Sequence, residues 1–299
     1  MDIYVTGGTG FIGSYVVREL CGNKNKIIIL ARNSGKVPAL LKLPNVSIKK
    51  ASMLDYGSLE RSINKIDALV HIALCWGDTG PEMIKNETLS SVKIIDIAVK
   101  KGAKKIIFTS STAAQGSIAK DTDETAKMHP LDFYGATKGS VELFMDAYSC
   151  YYPEIAFNVI RPGYTFGNPV VQSGTIESDV RFKKICSNAK YGRPIEVIKN
   201  DGTQFIWAGD LAKIYGRLIA SRLKNQVFYG LGNKFVTWEQ IARTAVAMTK
   251  SKSTIKVINK GWSSNPAFYK VNKIKKYFGL SFNPDKQIKE HIRYLIEIA

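Results

Sequence analysis

The sequence predicts a doubly wound α/β fold: a parallel sheet with helices on both faces, joined to a smaller C-terminal substrate-binding lobe. Three observations predict it. A glycine-rich turn links a β-branched run to an apolar helical stretch at the start of the chain. Short apolar runs recur as continuous blocks, the pattern of strands covered on both faces. Helical stretches separate those runs at short intervals, which implies right-handed crossovers and parallel strands.

Ile3, Tyr4 and Val5 form the first strand, and Gly7, Gly8, Gly10 and Gly13 follow it. Gly8, Gly10 and Gly13 fit G-x-G-x-x-G, while Gly7, Gly10 and Gly13 fit G-x-x-G-x-x-G. In such a turn one glycine permits positive φ, another admits a pyrophosphate to the backbone, and a third lets the helix pack close to the strand. The helix from Phe11 to Leu20 then offers its free N–H groups and dipole to an anion.

Lys26 to Ala31 is the second strand. A carboxylate just beyond such a strand bonds the adenosine ribose of NAD, whereas a base accommodates the 2′-phosphate of NADP. No carboxylate stands between Lys26 and Lys36; Arg32, Asn33, Ser34 and Lys36 do. Arginine suits bidentate phosphate contact, so NADP is favoured over NAD. Val46 to Lys50 is the third strand. Asp55 to Ile63 reads as a helix capped by Asp55 or Ser58. Ala68 to Ala73 is the fourth strand, and its His71 reads as packed rather than catalytic. A helix from about Glu82 to Lys101 stops at Gly102, and Lys104 to Thr109 is the fifth strand.

That strand opens into Ser110, Ser111 and Thr112, at the edge where open α/β sheets bind ligands. Farther on, Tyr134 and Lys138 stand four residues apart and share one face of a helix. An ammonium beside a phenol favours the phenolate, which makes the pair a usable proton carrier. A serine hydroxyl opposite can hold a substrate oxygen while hydride passes to or from a nicotinamide.

These stretches together resemble the extended short-chain dehydrogenase/reductase family, the group of NAD-dependent epimerases and dehydratases. TGGTGFIG at Thr6 to Gly13 resembles its N-terminal fingerprint, FTSST at Phe108 to Thr112 its serine motif, and YGATK at Tyr134 to Lys138 its Tyr/Lys motif. The similarity continues through Val159 to Pro169, Asp201 to Ala212 and Phe278 to Pro284. It implies a Rossmann sheet with Tyr134 as general acid/base, Lys138 on the nicotinamide ribose, and Ser111 orienting the substrate oxygen. It further implies a cofactor set of Gly7, Gly10, Phe11, Ile12, Gly13, Arg32, Lys36, Ala73, Tyr134, Lys138 and Pro162. Ser111, Thr112 and Tyr164 would meet the substrate, and Asn86 matches a structural or cofactor-proximal asparagine. A homodimer through the helices at 83–101 and 133–150 is also implied.

The chain departs from the family pattern in places. Tyr164 stands where nucleotide-sugar epimerases carry asparagine, and Thr203 and Gln204 precede Phe205 where Arg-Asp is common. That arginine normally holds a diphosphate. Ser111, Thr112 and Ala113 replace the Thr-Asp-Glu of dehydratases, and Gln115 stands where many epimerases carry an aromatic residue.

The remaining chain builds the second lobe. Helices are expected at Glu177 to Lys190, at Asp210 to Leu223 with Asp210 as cap, from Thr237 to about Lys250, and at Asp285 to Ile298. Thr237 and Gln240 form a capping box, and Gln226 to Tyr229 is a strand returning to the main sheet. Gly261 to Pro266 reads as a loop whose Trp262 covers core rather than lining the pocket. The expected division is 1–165 with 204–230 for the dinucleotide and 166–203 with 231–299 for the substrate.

Composition sets outer bounds. The 299 residues can bury a large core, and 45% hydrophobic content is that of an ordinary globular chain. No apolar stretch reaches the roughly 20 residues that span a membrane, and no basic leader precedes the first strand. Four scattered cysteines without a C-x-x-C pair argue against zinc or other metal and against disulfides, and fit the cytoplasm. The net charge of +18 comes from scattered lysines without interleaved aromatics, which fits a solvated surface rather than a nucleic-acid partner. The function expected is hydride transfer between a nicotinamide and a secondary alcohol or ketone of a sugar or nucleotide sugar. An NADPH-dependent reductase of small ketones or aldehydes is the alternative within the class, and a non-catalytic dinucleotide sensor the alternative outside it.

Overall fold

The structure is a computed structural model that describes residues 1–22, 25–33, 35, 37–171, 174 and 179–299. Its strands, in chain order, are β1 (Asp2–Thr6), β2 (Lys26–Ala31), β3 (Val46–Lys50), β4 (Ala68–His71), β5 (Lys105–Thr109), β6 (Ala156–Pro162), β7 (Thr165–Phe166), β8 (Ile195–Ile198), β9 (Gly202–Thr203), β10 (Ile206–Trp207), β11 (Gln226–Gly230), β12 (Val236–Thr237) and β13 (Ile255–Ile258). The helices are α1 (Phe11–Cys21), α2 (Tyr56–Ser62), α3 (Gly80–Met83), α4 (Leu89–Lys100), α5 (Phe133–Tyr151), α6 (Arg181–Lys190), α7 (Ala208–Ala220), α8 (Trp238–Thr249), α9 (Asn272–Phe278) and α10 (Asp285–Ile298).

Seven strands form one sheet in the order β11-β6-β5-β4-β1-β2-β3, every pairing parallel. This is the doubly wound Rossmann arrangement, with its topological switch between β1 and β4. The continuous apolar runs have a simple cause. In β2, Ile27, Ile29 and Ala31 join one buried cluster while Ile28 and Leu30 join another. Alternate side chains face opposite sides, so only a run apolar at every position can bury both. The α1 and α7 residues Tyr15, Val16, Leu211 and Tyr215 cover one face. Ile94 and Ile95 of α4 and Val141 and Met145 of α5 cover the other. Each such buried side chain contributes about 1.5–3 kcal/mol. A third cluster, with Phe166, Phe182, Phe205, Trp238 and Ile292, lies among β7, α6, α8 and α10.

Several elements differ from the sequence expectation. β4 ends at His71, because Ile72 and Ala73 turn aside to donate their N–H groups to Thr6 Oγ1 at 3.1 and 3.2 Å. The helix expected from Glu82 begins at Gly80, where Thr79 and Glu82 form a capping box. It then opens into a π turn at Ile84–Thr88 before α4. Asp55, not Ser58, caps α2. Asp210 does not cap α7; the helix starts two residues earlier and its carboxylate holds Lys213 at 2.8 Å. The helix described as α6 begins at Arg181, and Glu177 lies outside the described residues. Trp262 covers no core: it is about half exposed. Among the described residues no helix is long and apolar enough to cross a membrane, and no cluster of side chains could hold a metal ion.

Candidate active site

At the carboxyl edge of the sheet lies one cavity of about 1010 Å³. Its centre is the turn between β1 and α1. Gly7 sits at φ +71°, and a Cβ there would lie 2.7 Å from the Ala73 nitrogen. A Cβ on Gly13 would lie 2.0 Å from the Gly7 carbonyl oxygen, so the helix can approach this closely only without one. Gly10 heads α1 with no side-chain cap, and the first turn carries no acid. Gly7, Thr9, Gly10, Phe11, Ile12 and Gly13 line the cavity, and the uncapped helix start leaves N–H donors for an anion. The turn is therefore a cradle that fits a pyrophosphate.

On the β2 and β3 side the cavity meets Arg32, which is exposed, and Ser52, Met53 and Leu54. No carboxylate lines this half among the described residues. Lys36, expected to assist Arg32, lies outside the described residues.

On the β4, β5 and β6 side the cavity meets Ala73, Ser111, Tyr134, Lys138, Pro162 and Tyr164. Each is placed by a local cause. Thr6 Oγ1 is 2.6 Å from His71 Nδ1, and His71 Nε2 is 2.9 Å from Ser91 Oγ, which ties the ends of β1 and β4 to α4. Burial, aided by the nearby Lys138 charge, pushes His71 down to about 3. It is a neutral packed histidine, as its apolar strand suggested. Ser111 caps a short 3-10 turn, its Oγ accepting from the Ala113 nitrogen at 3.1 Å. Ser110 points inward and donates to Glu142. Asp132 caps α5 by accepting from the Gly135 nitrogen at 2.7 Å. A Cβ on Gly135 would stand 2.2 Å from the Ala113 carbonyl oxygen, so this glycine lets α5 close on the Ser111 turn. Tyr134 and Lys138 then reach the same cavity from successive turns, with the ammonium 5.7 Å from the phenol ring centre.

Lys138 is only 2% exposed. Its Nζ donates to Glu87 Oε1 at 2.6 Å, its one hydrogen-bond partner among the described residues. An ammonium has three donors, so two remain for a ligand. Glu87 is itself buried, and its Oε2 accepts from the Cys75 nitrogen at 2.7 Å. Asn86 does not line the cavity; its Nδ2 donates to the Trp76 carbonyl at 3.0 Å. Together the two side chains fasten the Cys75–Trp76 backbone, and the Trp76 ring lies 6.2 Å from that of Tyr134.

Tyr164 joins the cavity to the third core, meeting Phe205 and Trp238 edge-on at 4.9 and 5.4 Å. Thr112 is the one expected substrate residue outside the cavity lining, because it starts the 3-10 turn that Ser111 caps. Gln115 faces inward, donating to the Asp123 carbonyl and accepting from the Tyr229 hydroxyl. Gln204, which follows Thr203 at the position where a diphosphate arginine is common, clamps backbone. It donates to the Gly232 and Tyr269 carbonyls and accepts from the Tyr269 nitrogen.

Sequence reasoning passed over Glu87, Trp76 and Asp179. Glu87 had a signal: it shares helical spacing with Met83, Ser91 and Ile94, all buried, which puts a charge on the covered face.

A parallel doubly wound sheet, a glycine cradle, and Ser111, Tyr134 and Lys138 around one cavity define an enzyme of the extended short-chain dehydrogenase/reductase type. Residues 3–229 match the NAD dependent epimerase/dehydratase family, and the chain belongs to that family. Among relatives, a Methanocaldococcus jannaschii protein named "Putative UDP-glucose 4-epimerase" is 27% identical over 75% of both chains. The dihydroflavonol 4-reductase of Solanum lycopersicum is 32% identical over 46% of this chain and 40% of its own. In fold, the chain is similar to the UDP-glucuronic acid 4-epimerase of Bacillus cereus in complex with NAD. There the TM-score is 0.84 at 17% identity, over 100% of this chain and 99% of that one. The UDP-Glc/GlcNAc 4-epimerase of Campylobacter jejuni gives 0.83 at 16%, over 99% and 98%.

Proposed function

We propose that this protein is a nicotinamide-dependent epimerase of a sugar nucleotide, with Tyr134 as its general acid/base. The observation that carries the reading is the cavity itself. A pyrophosphate cradle occupies its centre, and Ser111, Tyr134 and a buried ammonium with two spare donors occupy one side. When bound, the nicotinamide accepts and returns hydride. The chain's own residues do the rest. The cradle and Lys138 hold the cofactor. The Ser111 hydroxyl orients the substrate oxygen. The Tyr134 side chain, as the phenolate, takes the proton from that oxygen and, as the phenol so formed, gives it back. The relatives acting on UDP-sugars supply the substrate class.

Replacing Tyr134→Phe tests this. It removes only the proton carrier, so epimerisation of UDP-glucose, UDP-glucuronic acid or UDP-N-acetylglucosamine should fall at least about 100-fold. Cofactor affinity should stay unchanged; a sensor would show no turnover to lose. Cofactor that stays with the protein through gel filtration supports an epimerase.

A second reading has its own observation. Thr203 stands where a diphosphate arginine is common, and apart from Lys138 the one cation lining the cavity among the described residues is Arg32. A reductase of a small ketone or aldehyde would suit that better than a diphosphate substrate, and the dihydroflavonol 4-reductase relatives fit it. Reduction of such ketones by NADPH, with no epimerisation of any UDP-sugar, would establish it.

The same proposal extends to three further features. Arg32 accommodates the 2′-phosphate of NADP; Arg32→Ala should weaken NADP binding about tenfold and leave NAD binding unchanged. A second copy covers α4 and α5, where Leu89, Leu143, Phe144 and Tyr151 are exposed; light scattering on the purified protein should give a dimer mass. The substrate lobe is built around the third core, at 166–203 with 231–299.

A further inference from the structure

We propose that Glu87 balances the charge of Lys138 and thereby removes the penalty that a lone ammonium would place on the oxidised form of the bound nicotinamide cofactor. This rests on reading the cavity as a nicotinamide site. The cofactor's adenosine belongs on the β2 and β3 side of the glycine turn, by the order of the sheet. Its nicotinamide then belongs on the side of Lys138. An oxidised nicotinamide ring carries a positive charge and a reduced one carries none. A lone buried ammonium beside it would therefore repel the oxidised form and leave the reduced form unaffected.

Glu87 removes that asymmetry. Its Oε1 is 2.6 Å from the Lys138 nitrogen and both side chains are almost fully buried, so solvent screens the pair little. The π turn at Ile84–Thr88 presents the carboxylate, and the Cys75 nitrogen holds its second oxygen at 2.7 Å. The other groups packed around the pair bring no compensating charge. His71 is neutral, and burial holds the Cys75 thiol above its usual range and hence protonated. Asp179, on the substrate side, is paired with Arg181 at 2.7 Å, and Arg32 lies across the glycine turn. Glu87 is a positioning residue that acts through Lys138. A site that does not repel the oxidised form at rest suits an enzyme whose first step takes hydride from an alcohol.

Calorimetric titration of the purified protein with NADP, NADPH, NAD and NADH tests this without any turnover. The measured quantity is the ratio of Kd for the oxidised form to Kd for the reduced form. Glu87→Gln should raise it about tenfold, as expected for one elementary charge removed a few ångströms away. Lys138→Met should lower it. The double variant, neutral again, should return it to the native value even though both side chains have been changed. A merely structural Glu87 would weaken both forms alike, and the second substitution would not restore the ratio. Should Glu87→Gln not fold, Lys138→Met against the double variant reads the same charge. An unchanged ratio in Glu87→Gln, or in that second comparison, overturns the inference while leaving the cavity reading intact. Failure of the native protein to bind either form overturns both.

Discussion

Lys138 and Arg161 are both almost wholly buried near the carboxyl edge of the sheet, and each has a glutamate partner. Their pairing differs. Arg161 Nε donates to both oxygens of Glu142 at 3.0 and 3.1 Å, and Nη2 donates to Oε2 at 2.7 Å. Nη1 reaches the Glu124 carbonyl at 3.3 Å, and Ser110 completes the Glu142 carboxylate. That guanidinium is spent on the fold, holding the chain just before Ser111. Lys138 has one bond and two spare donors, and it faces the cavity. A buried cation with unused donors is expensive unless a ligand completes it. The difference in saturation separates the residue that builds the site from the residue that works in it.

Replacing each cation breaks the comparison most directly. Lys138→Met should lower kcat/KM by at least about 100-fold, measured at a temperature where the variant is folded. Arg161→Met should act on stability instead. It strands the Glu142 carboxylate in the interior, which costs about 3–5 kcal/mol in urea unfolding. Adding Glu142→Leu should recover most of that loss, because an apolar pair of similar volume leaves no charge unmatched. If Arg161→Met lowers kcat/KM as far as Lys138→Met does while keeping native stability, the distinction fails.

How much of this was legible in the sequence depends on whether a residue's partner lies close by in the chain. The cradle was legible because strand, glycines and helix are contiguous. Tyr134 and Lys138 were legible because one helical turn relates them. Strands β2, β4 and β5 were legible because burial on both faces demands a continuous apolar run, whereas β6 was not, because Asn158 and Arg161 interrupt its apolar run. Glu87 was passed over because a lone glutamate in a helical stretch reads as solvated, although its spacing to Met83, Ser91 and Ile94 put it on the covered face. Gln115 and Gln204 were not legible, because their partners Tyr229 and Tyr269 lie far along the chain. Asp210 misled because an acid in the first turn of a helix reads like a cap. Thr112 was taken with Ser111 as a neighbour, yet a 3-10 turn sends successive side chains in different directions.

A third buried base sharpens the contrast at smaller scale. Lys138 lies against a glutamate; His71, packed among Thr6, Ser91 and Phe108, has no acidic partner among the described residues and gives its charge up. Its pKa is pushed down to about 3, chiefly by burial. An unfolded histidine titrates near 6.5. As pH falls below about 6.5 the unfolded chain binds a proton that the native protein refuses. The stability from His71 is therefore complete above that pH and is lost as pH drops toward 3. The slope is about 1 kcal/mol per pH unit for one proton. His71→Asn keeps a polar group there but cannot titrate. Urea unfolding between pH 6 and pH 4.5 should show a flatter decline in that variant, and identical slopes would mean the native histidine is charged.

The smallest effect belongs to an ion pair of nearly the same length as Lys138–Glu87. Lys234 Nζ lies 2.7 Å from Asp285 Oδ2, but the two side chains are 46% and 42% exposed. Water and salt screen such a pair, and ordering two long side chains offsets part of the attraction. Lys234→Ala should change unfolding free energy by less than about 1 kcal/mol, and added salt should shrink even that. A double-mutant cycle with Asp285→Ala isolates the coupling. A value well above 1 kcal/mol, unchanged by salt, would show that exposure is not what separates this pair from the buried one at the cavity.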